Sequence, residues 1–511
     1  VETGIVVLLK FYPDKSKIPV MRIPFLPYTF LMLILSTMQA KAQPDDISSR
    51  LFDVHQKYRE TTFTQRRFKQ KDMLPLIEKR KSNPLYEVTS VGTSFEERNI
   101  QMLKIGNGTR KILLWSQMHG DEPTATMACF DIFNFFEGEK DGFDAFRKEI
   151  LSNTTLYFIP MLNPDGAERY QRRNAQGIDI NRDALGLQAP ESRILKGLQQ
   201  NLQPEFGFNL HDKNPRYSVG NTDKLATISF LATAYDEAKS VNTVREKSMQ
   251  VISVMNRALQ KYIPGQVGRW NDDFEPRAFG DNIQKWGTTL ILIESGGYSN
   301  DPEKQYIRKL NFVAMLTGIG SIADNSFAKE TRDDYEALKE NSRFIFDLLI
   351  SNVTAGINGK TFRTDVAIDR TEVNQHAATS FFYRSTIEEY GDLSIYSGTQ
   401  QLDGTGCIIE HGKVYPDVFP RITDIQESKA WDLLRQGFTY LRVAKNTQGA
   451  KSVKLPVNLI TNERSFTAPP ALDDPATFIL RKNGKPRYAV VNGFVYDLEA
   501  EYKLSGNSLI D

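Results

Sequence analysis

The chain is predicted to be an α/β protein, a mostly parallel mixed sheet sandwiched by helices, followed by a smaller β-rich C-terminal domain. Three observations carry this. Between Tyr86 and Glu294, short apolar runs of strand length alternate with segments of helical period, the order expected of buried strands joined by helices. Past Asn352 the texture shifts to Val/Ile/Tyr/Phe-rich runs broken by Gly, Asn and Asp, with Asn483-Gly484 and Asn492-Gly493 as hairpin signals. Finally, 511 residues are too many for one compact core.

Taken in order, Met21-Arg22, the apolar stretch Ile23 to Leu35 and Ala40-Lys41-Ala42 are the parts of a cleavable export signal, with Gln43 as the expected mature start. Residues 1–42 are therefore read as upstream residues plus signal peptide. Roughly 13 apolar residues are too few to span a ~30 Å hydrocarbon core. No later stretch is longer, so no stable membrane span is expected after signal removal, and the mature protein is expected to be secreted or periplasmic. Residues 43–84 are polar with scattered apolar positions and read as a helical lead-in.

Residues 85–326 form the expected catalytic domain. Tyr86 to Val91 and Ile100 to Ile105 read as an antiparallel pair, and Lys111 to Ser116 as a buried strand. Helices are expected over Pro123 to Phe136 and Phe143 to Leu151, then a core strand, Thr155 to Pro160, running to the turn signal Asn163-Pro164-Asp165-Gly166. A helix near Glu191 to Leu202, a strand Phe206 to Leu210, a long helix Ala238 to Tyr262 and a strand Thr288 to Ile293 follow. Helical pattern runs from Pro302 to about Leu349, making residues 327–351 a helical connector to the β-rich accessory domain at 352–511.

Composition excludes several classes. With 64 basic against 63 acidic residues, net charge +1, the chain has no electrostatic footprint for nucleic acid. Its two cysteines, Cys129 and Cys407, fall in different expected domains, so no disulfide framework or Cys-rich metal site is built. The sequence assigns no oligomeric state.

The chemistry concentrates at three strand ends. His119-Gly120-Asp121-Glu122 lies where an apolar strand runs into a helix, and a His and a Glu three residues apart there can turn an imidazole and a carboxylate toward one point. Catalytic zinc takes three protein ligands and keeps a fourth position open. Of five histidines, His211 is the best third ligand because it also follows a core strand. His55, His376 and His411 fall in the lead-in or the C-terminal domain, where a solvated or structural role is expected. Glu294 ends another buried strand, a costly place for a carboxylate without a task. In open α/β sheets, sites form beyond the carboxyl ends of the strands, so these groups can converge.

His119-Gly-Asp-Glu122, Asn163-Pro-Asp-Gly166, the segment Arg172 to Asp183, His211 and Ile293-Glu294 occur in the order seen in the M14 family of zinc carboxypeptidases, which this chain resembles over roughly residues 85 to 325. The resemblance implies one zinc ion per chain held by His119, Glu122 and His211, and hydrolysis of peptides that carry a free C-terminus. Glu294 would be the general base, Arg172 would stabilise the developing oxyanion, and Asn181 and Arg182 would bind the terminal carboxylate. Asp179 would orient a zinc-bound histidine.

One departure stands out. The family places a mobile tyrosine some twenty residues before the catalytic Glu; here the segment Trp270 to Asp281 has none, and Phe274 stands nearby without a hydroxyl. Tyr298 follows Glu294 and is no obvious replacement. The specificity pocket is expected from the same segment, through Phe279 or Asp281. Two other readings stay open: an N-acyl amino acid deacylase resembling the desuccinylase and aspartoacylase branch, and a peptide- or glycan-binding protein on a carboxypeptidase scaffold.

Overall fold

The computed structural model describes residues 46–445, 449–463 and 470–511. The expected export signal and Gln43 lie outside them. No helix among the described residues is long and apolar enough to cross a membrane.

Helices α1 (Ile47–Tyr58) and α2 (Gln70–Lys81) form the lead-in. The following sheet contains β1 (Tyr86–Thr93), β2 (Asn99–Ile105), β3 (Arg110–Ser116), β4 (Thr154–Ile159), β5 (Phe206–Asp212), β7 (Ile228–Leu231), β8 (Val267–Arg269) and β9 (Thr289–Ser295), in the order β1-β2-β4-β3-β5-β9-β7-β8. β6 (Ser218–Val219) stands apart and pairs with β10 (Asn341–Ser342). The centre, β4-β3-β5-β9, is parallel, while β1, β2 and β7 run antiparallel to their inner neighbours, as a mixed sheet requires.

Strand alternation splits the core into two layers. Ile112 and Leu114 of β3 pack with Ile291 and Ile293 of β9 on one face, under α3 (Thr124–Phe136), α4 (Asp144–Asn153), α7 (Thr243–Leu259) and α9 (Gln305–Ala323). Leu113, Trp115 and Leu290 face the opposite layer, which receives α6 (Pro190–Leu202) and α8 (Phe279–Lys285). The short α5 (Pro164–Arg169) sits between α4 and α6 in the chain. Every residue of α3 except Asn134 is buried, the mark of a helix inside a large core rather than on its surface. Burying each of its phenylalanines contributes roughly 1.5–3 kcal/mol.

Inside that layer His55, expected to be solvated or structural, is structural. Its Nε2 lies 2.8 Å from the Asp131 carboxylate, which also accepts from Arg308 Nε at 2.7 Å, all three groups being buried.

The C-terminal part holds a second eight-stranded sheet, β13-β12-β11-β15-β20-β21-β22, with β14 added on β11. These strands are β11 (Ile345–Ile357), β12 (Lys360–Gln375), β13 (Ser380–Gly391), β14 (Ser397–Asp403), β15 (Cys407–Glu410), β20 (Phe478–Lys482), β21 (Lys485–Val491) and β22 (Phe494–Asp497). Smaller sheets are formed by β16 (Lys413–Phe419), β17 (Phe438–Val443) and β19 (Asn458–Ile460), and by β18 (Ser452–Val453) with β23 (Ser508–Leu509); α11 (Glu427–Arg435) packs on β17. Both Asn-Gly pairs make hairpin turns with positive φ at both residues, 50° and 75° at Asn483-Gly484 and 49° and 74° at Asn492-Gly493.

Some elements differ from expectation. The helical pattern anticipated as far as Leu349 ends at Ala323; α10 (Arg332–Glu336) follows, and Ile345 already belongs to β11. The run Ile345-Phe-Asp-Leu-Leu-Ile satisfies either period, and pairing with β12 and β14 decides for strand. The long helix shortens to α7 because the Asn242 side chain accepts from Arg245 N at 2.9 Å and caps it there.

Candidate metal centre

The loop after β3 carries the first two ligands and is held from several sides. Gln117, left-handed at φ 47°, turns the chain out of the strand, and its Nε2 donates to Gly120 O at 3.0 Å. Asn163 does two jobs: its Oδ1 accepts from Gly166 N at 2.9 Å to cap α5, and its Nδ2 donates to Met118 O at 3.2 Å. Gly120 is glycine because a Cβ there would lie 2.0 Å from the Gly166 carbonyl carbon. The His-Gly-Asp-Glu and Asn-Pro-Asp-Gly motifs are thus two backbones in direct contact.

His211 and Glu294 come from adjacent parallel strands and are register partners across β5 and β9. Lys304 fastens the ends of both strands, donating to the Asp212 carboxylate at 3.1 Å and to Ser295 O at 3.0 Å.

His119, Glu122 and His211 converge, all buried, with one ligand atom from each lying within 4.8 Å of the others. His119 Nδ1 is 2.9 Å from Glu122 Oε1; His211 Nδ1 is 2.7 Å from Glu122 Oε2 and 3.1 Å from His119 Nδ1. Two imidazole nitrogens facing each other across a carboxylate make an electron-rich point that calls for a cation, and nitrogen–nitrogen–oxygen donors suit zinc. His119 is also oriented from behind, its Nε2 lying 3.0 Å from Asp179 Oδ1. His211 Nε2 has no such partner among the described residues.

The electrostatics agree. Burial opposes a charge on His119, yet the Glu122 and Asp179 carboxylates push it up to about 9. Burial works against Glu122 and Asp179 as well, but neighbouring His119 and, respectively, His211 and Arg172 hold both well below the usual carboxylate range. Glu294 is the contrast. Burial and the nearby Glu122 carboxylate raise it well above its ordinary value, and its Oε2 has no hydrogen-bond partner among the described residues. A cation at the convergence point would favour the carboxylate form of Glu294 and so suit it to accept a proton.

Around this point opens a cleft of about 1150 Å³. Arg172 reaches it half-exposed, with Nε on Asp179 Oδ2 at 2.9 Å and Nη1 3.1 Å from His119 Nδ1 and 3.4 Å from Glu122 Oε1. Asn181 and Arg182 also line it. Asn181 uses its Oδ1 to accept from Phe279 N at 2.9 Å, leaving its amide nitrogen to donate, while Arg182 Nε sits 3.2 Å from the Glu275 carboxylate. An arriving carboxylate would compete with Glu275 for that guanidinium.

Phe279 is a correction. Expected in the specificity pocket, it is fully buried in the layer of Trp115, Ile283 and Leu290, because it opens α8 with its ring turned toward the sheet. The neighbouring Gly280 and Asp281 line the cleft instead, together with Asn209, Thr233 and Leu292. Burial pushes Asp281 up to about 7, with the Asp272 carboxylate adding to the shift.

Lys213 was missed. It lines the cleft almost wholly buried, its ammonium donating to the Ser229 hydroxyl, and burial lowers its pKa well below normal despite the nearby Glu294 carboxylate. The signal was strand alternation: Asn209, His211 and Lys213 stand two apart and all line the cleft. Nor does the cleft lack phenols, for Tyr170, Tyr217, Tyr298 and Tyr383 line it although the segment before Glu294 has none.

Comparison with known proteins adds independent findings. Residues 73–206 match the family model described as Peptidase_M14, zinc carboxypeptidase, a window containing His119, Glu122, Arg172, Asp179, Asn181 and Arg182. The chain is 27% identical over 230 residues to "Carboxypeptidase 2" of Trichophyton rubrum, covering 44% of this chain and 40% of that protein. It is 26% identical over 179 residues to "Carboxypeptidase SOL1" of Arabidopsis thaliana, covering 30% and 35%. Across the curated fungal relatives the chain spans between 34% and 48% of their length. Among solved structures, a metallo-carboxypeptidase from Burkholderia cenocepacia aligns with a TM-score of 0.42 at 16% identity, covering 51% of this chain and 70% of that one. Residues 73–206 are therefore similar to the M14 zinc carboxypeptidase family model, and the remaining candidate groups, His211 and Glu294, stand on paired strands beyond that window.

Proposed function

We propose that the protein is a zinc-dependent carboxypeptidase that removes C-terminal residues from peptides. The observation that carries this reading is the convergence of the buried His119, Glu122 and His211 with Glu294, the strand-register partner of His211, beside them. His119, Glu122 and His211 would hold zinc, which when bound would supply Lewis acidity for polarising a carbonyl and acidifying water.

The chain's own groups account for the rest. Asn181 and Arg182 receive the terminal carboxylate, a task suited to a guanidinium fork. Arg172, steadied by Asp179, presents its Nη atoms to the oxygen of the attacked carbonyl. Glu294, with one oxygen unpartnered, takes a proton from water and passes it to the leaving amine. Asp179 keeps His119 turned toward the centre.

The apolar stretch and Ala-x-Ala site near the start support action outside the cytoplasm, secreted or periplasmic. A panel of peptides with free and amidated C-termini tests the activity. Chelator-sensitive release of terminal residues from the free forms alone is expected; release from the amidated forms, or none from either, contradicts the proposal.

A further inference from the structure

We infer that β14 is a docking edge for substrate, and that peptide upstream of the scissile bond adds to it as an extended strand. The inference rests on the carboxypeptidase reading and adds to it a preference for long, unstructured peptide.

Among the described residues β14 pairs with β11 alone, in parallel register from Ile345↔Ser397 to Ser351↔Asp403, and no strand covers its other edge. Thr399, Gln400 and Gln401 are exposed in succession. Successive side chains of a strand point to opposite faces, so three in a row mean that neither face is covered there. An uncovered edge carries a row of unpaired backbone donors and acceptors, which proteins otherwise blunt or conceal. Here the edge carries no proline, lysine or arginine between Ser397 and Asp403.

The strand also borders the cleft that holds the candidate metal centre. Thr399 and Gln400 line the same cleft as His119, His211 and Glu294. The cleft's volume of about 1150 Å³ exceeds the ~300–1,000 Å³ of a small-ligand pocket. The placement is firmly built. Arg216, five residues after His211, reaches into the second sheet, with Nη1 3.0 Å from Asp347 Oδ2 and Nε 2.9 Å from Asp369 Oδ2. Asp347 precedes Leu348, the register partner of Gln400, and its carbonyl accepts from Thr399 Oγ1 at 2.8 Å. On the other flank Arg66 and Arg67 grip Glu372 at 2.6 and 2.8 Å. The ligand strand and the β14 edge are therefore held as one unit. A peptide whose carboxyl end reaches Arg182 has a ready strand partner behind it, the arrangement of β-strand addition.

The test compares an N-acyl dipeptide with an octapeptide of the same C-terminal pair, and the octapeptide with versions N-methylated at single backbone nitrogens upstream of that pair. Main-chain pairing predicts a higher kcat/KM for the octapeptide, about tenfold, the worth of two modest hydrogen bonds. N-methylation at alternate positions should remove that gain, while side-chain exchange at the same positions should not. Thr399→Pro and Gln400→Pro, checked for unchanged thermal midpoint, should bring the octapeptide to the level of the dipeptide and leave the dipeptide unaffected. Dipeptide cleavage with equal rates for parent and N-methylated octapeptides overturns strand addition and leaves the activity standing. Absence of cleavage from every substrate overturns the activity; calorimetry with the same octapeptides then decides the edge, tighter binding of the parent supporting it and equal binding refuting it.

Discussion

Asp179→Asn isolates the carboxylate that stands behind the metal centre. Asp179 touches three groups: His119 Nε2 at 3.0 Å, Arg172 Nε at 2.9 Å and Asn181 N at 3.0 Å. Asparagine keeps an oxygen for the helical cap, so local folding survives. It removes the charge that orients His119 and anchors Arg172. Loss of such a partner lowers metal affinity by roughly ten- to a hundredfold, about 1.4–2.8 kcal/mol. Competition titration against a chromogenic zinc chelator at fixed pH measures this, and the thermal midpoint in chelator checks the cap. With zinc saturating, kcat/KM should still fall, because Arg172 no longer has a fixed direction. Zinc affinity within about threefold of wild type, together with unchanged saturated activity, would refute the assignment of Asp179.

Other outcomes follow from the same geometry. Glu294→Gln keeps shape and removes the proposed base, so turnover should drop by roughly 10²–10⁴ at unchanged zinc content; near-normal turnover would take Glu294 out of the mechanism. Asp131→Ala leaves the buried Arg308 guanidinium without its carboxylate and should cost about 3–5 kcal/mol in urea denaturation, whereas a loss near zero would mean that water enters that layer. Asp281 is pushed up to about 7 by burial, so between about pH 4 and 7 the unfolded chain releases a proton that the folded chain retains. Wild-type stability should therefore lose a contribution as pH rises through that window, on the order of 1 kcal/mol or more, and Asp281→Asn should lose less between pH 5 and 8; parallel urea midpoints for the two proteins would contradict the buried-acid reading.

Much of the centre was legible without coordinates because its groups sit at the ends of strands whose apolar runs are unambiguous. His119 and Glu122 follow β3 directly, and Asn163 follows β4. Asn209, His211 and Lys213 share one side of β5 and its extension, but a search for metal ligands singles out only the histidine, and a lysine after a strand end is ordinarily solvated. Phe279 was misplaced for the opposite reason. Its distance from Glu294 suggested the pocket, but it opens a short helix, and helix rotation rather than spacing sets which of Phe279, Gly280 and Asp281 faces the cleft. The strand assignment of Ile345–Ile357 escaped for want of a distinguishing period.

By itself, then, the sequence determined the sheet core, the candidate metal-binding triad and the order of the motifs, since each depends on local chemistry and on apolar runs that allow one burial. Only the tertiary structure decided three further matters: that Gly120 and Gly166 abut, that Arg182 faces Glu275, and that a strand of the second sheet, with one edge unpaired among the described residues, borders the cleft. These join residues far apart in the chain through packing and pairing, which no local pattern encodes.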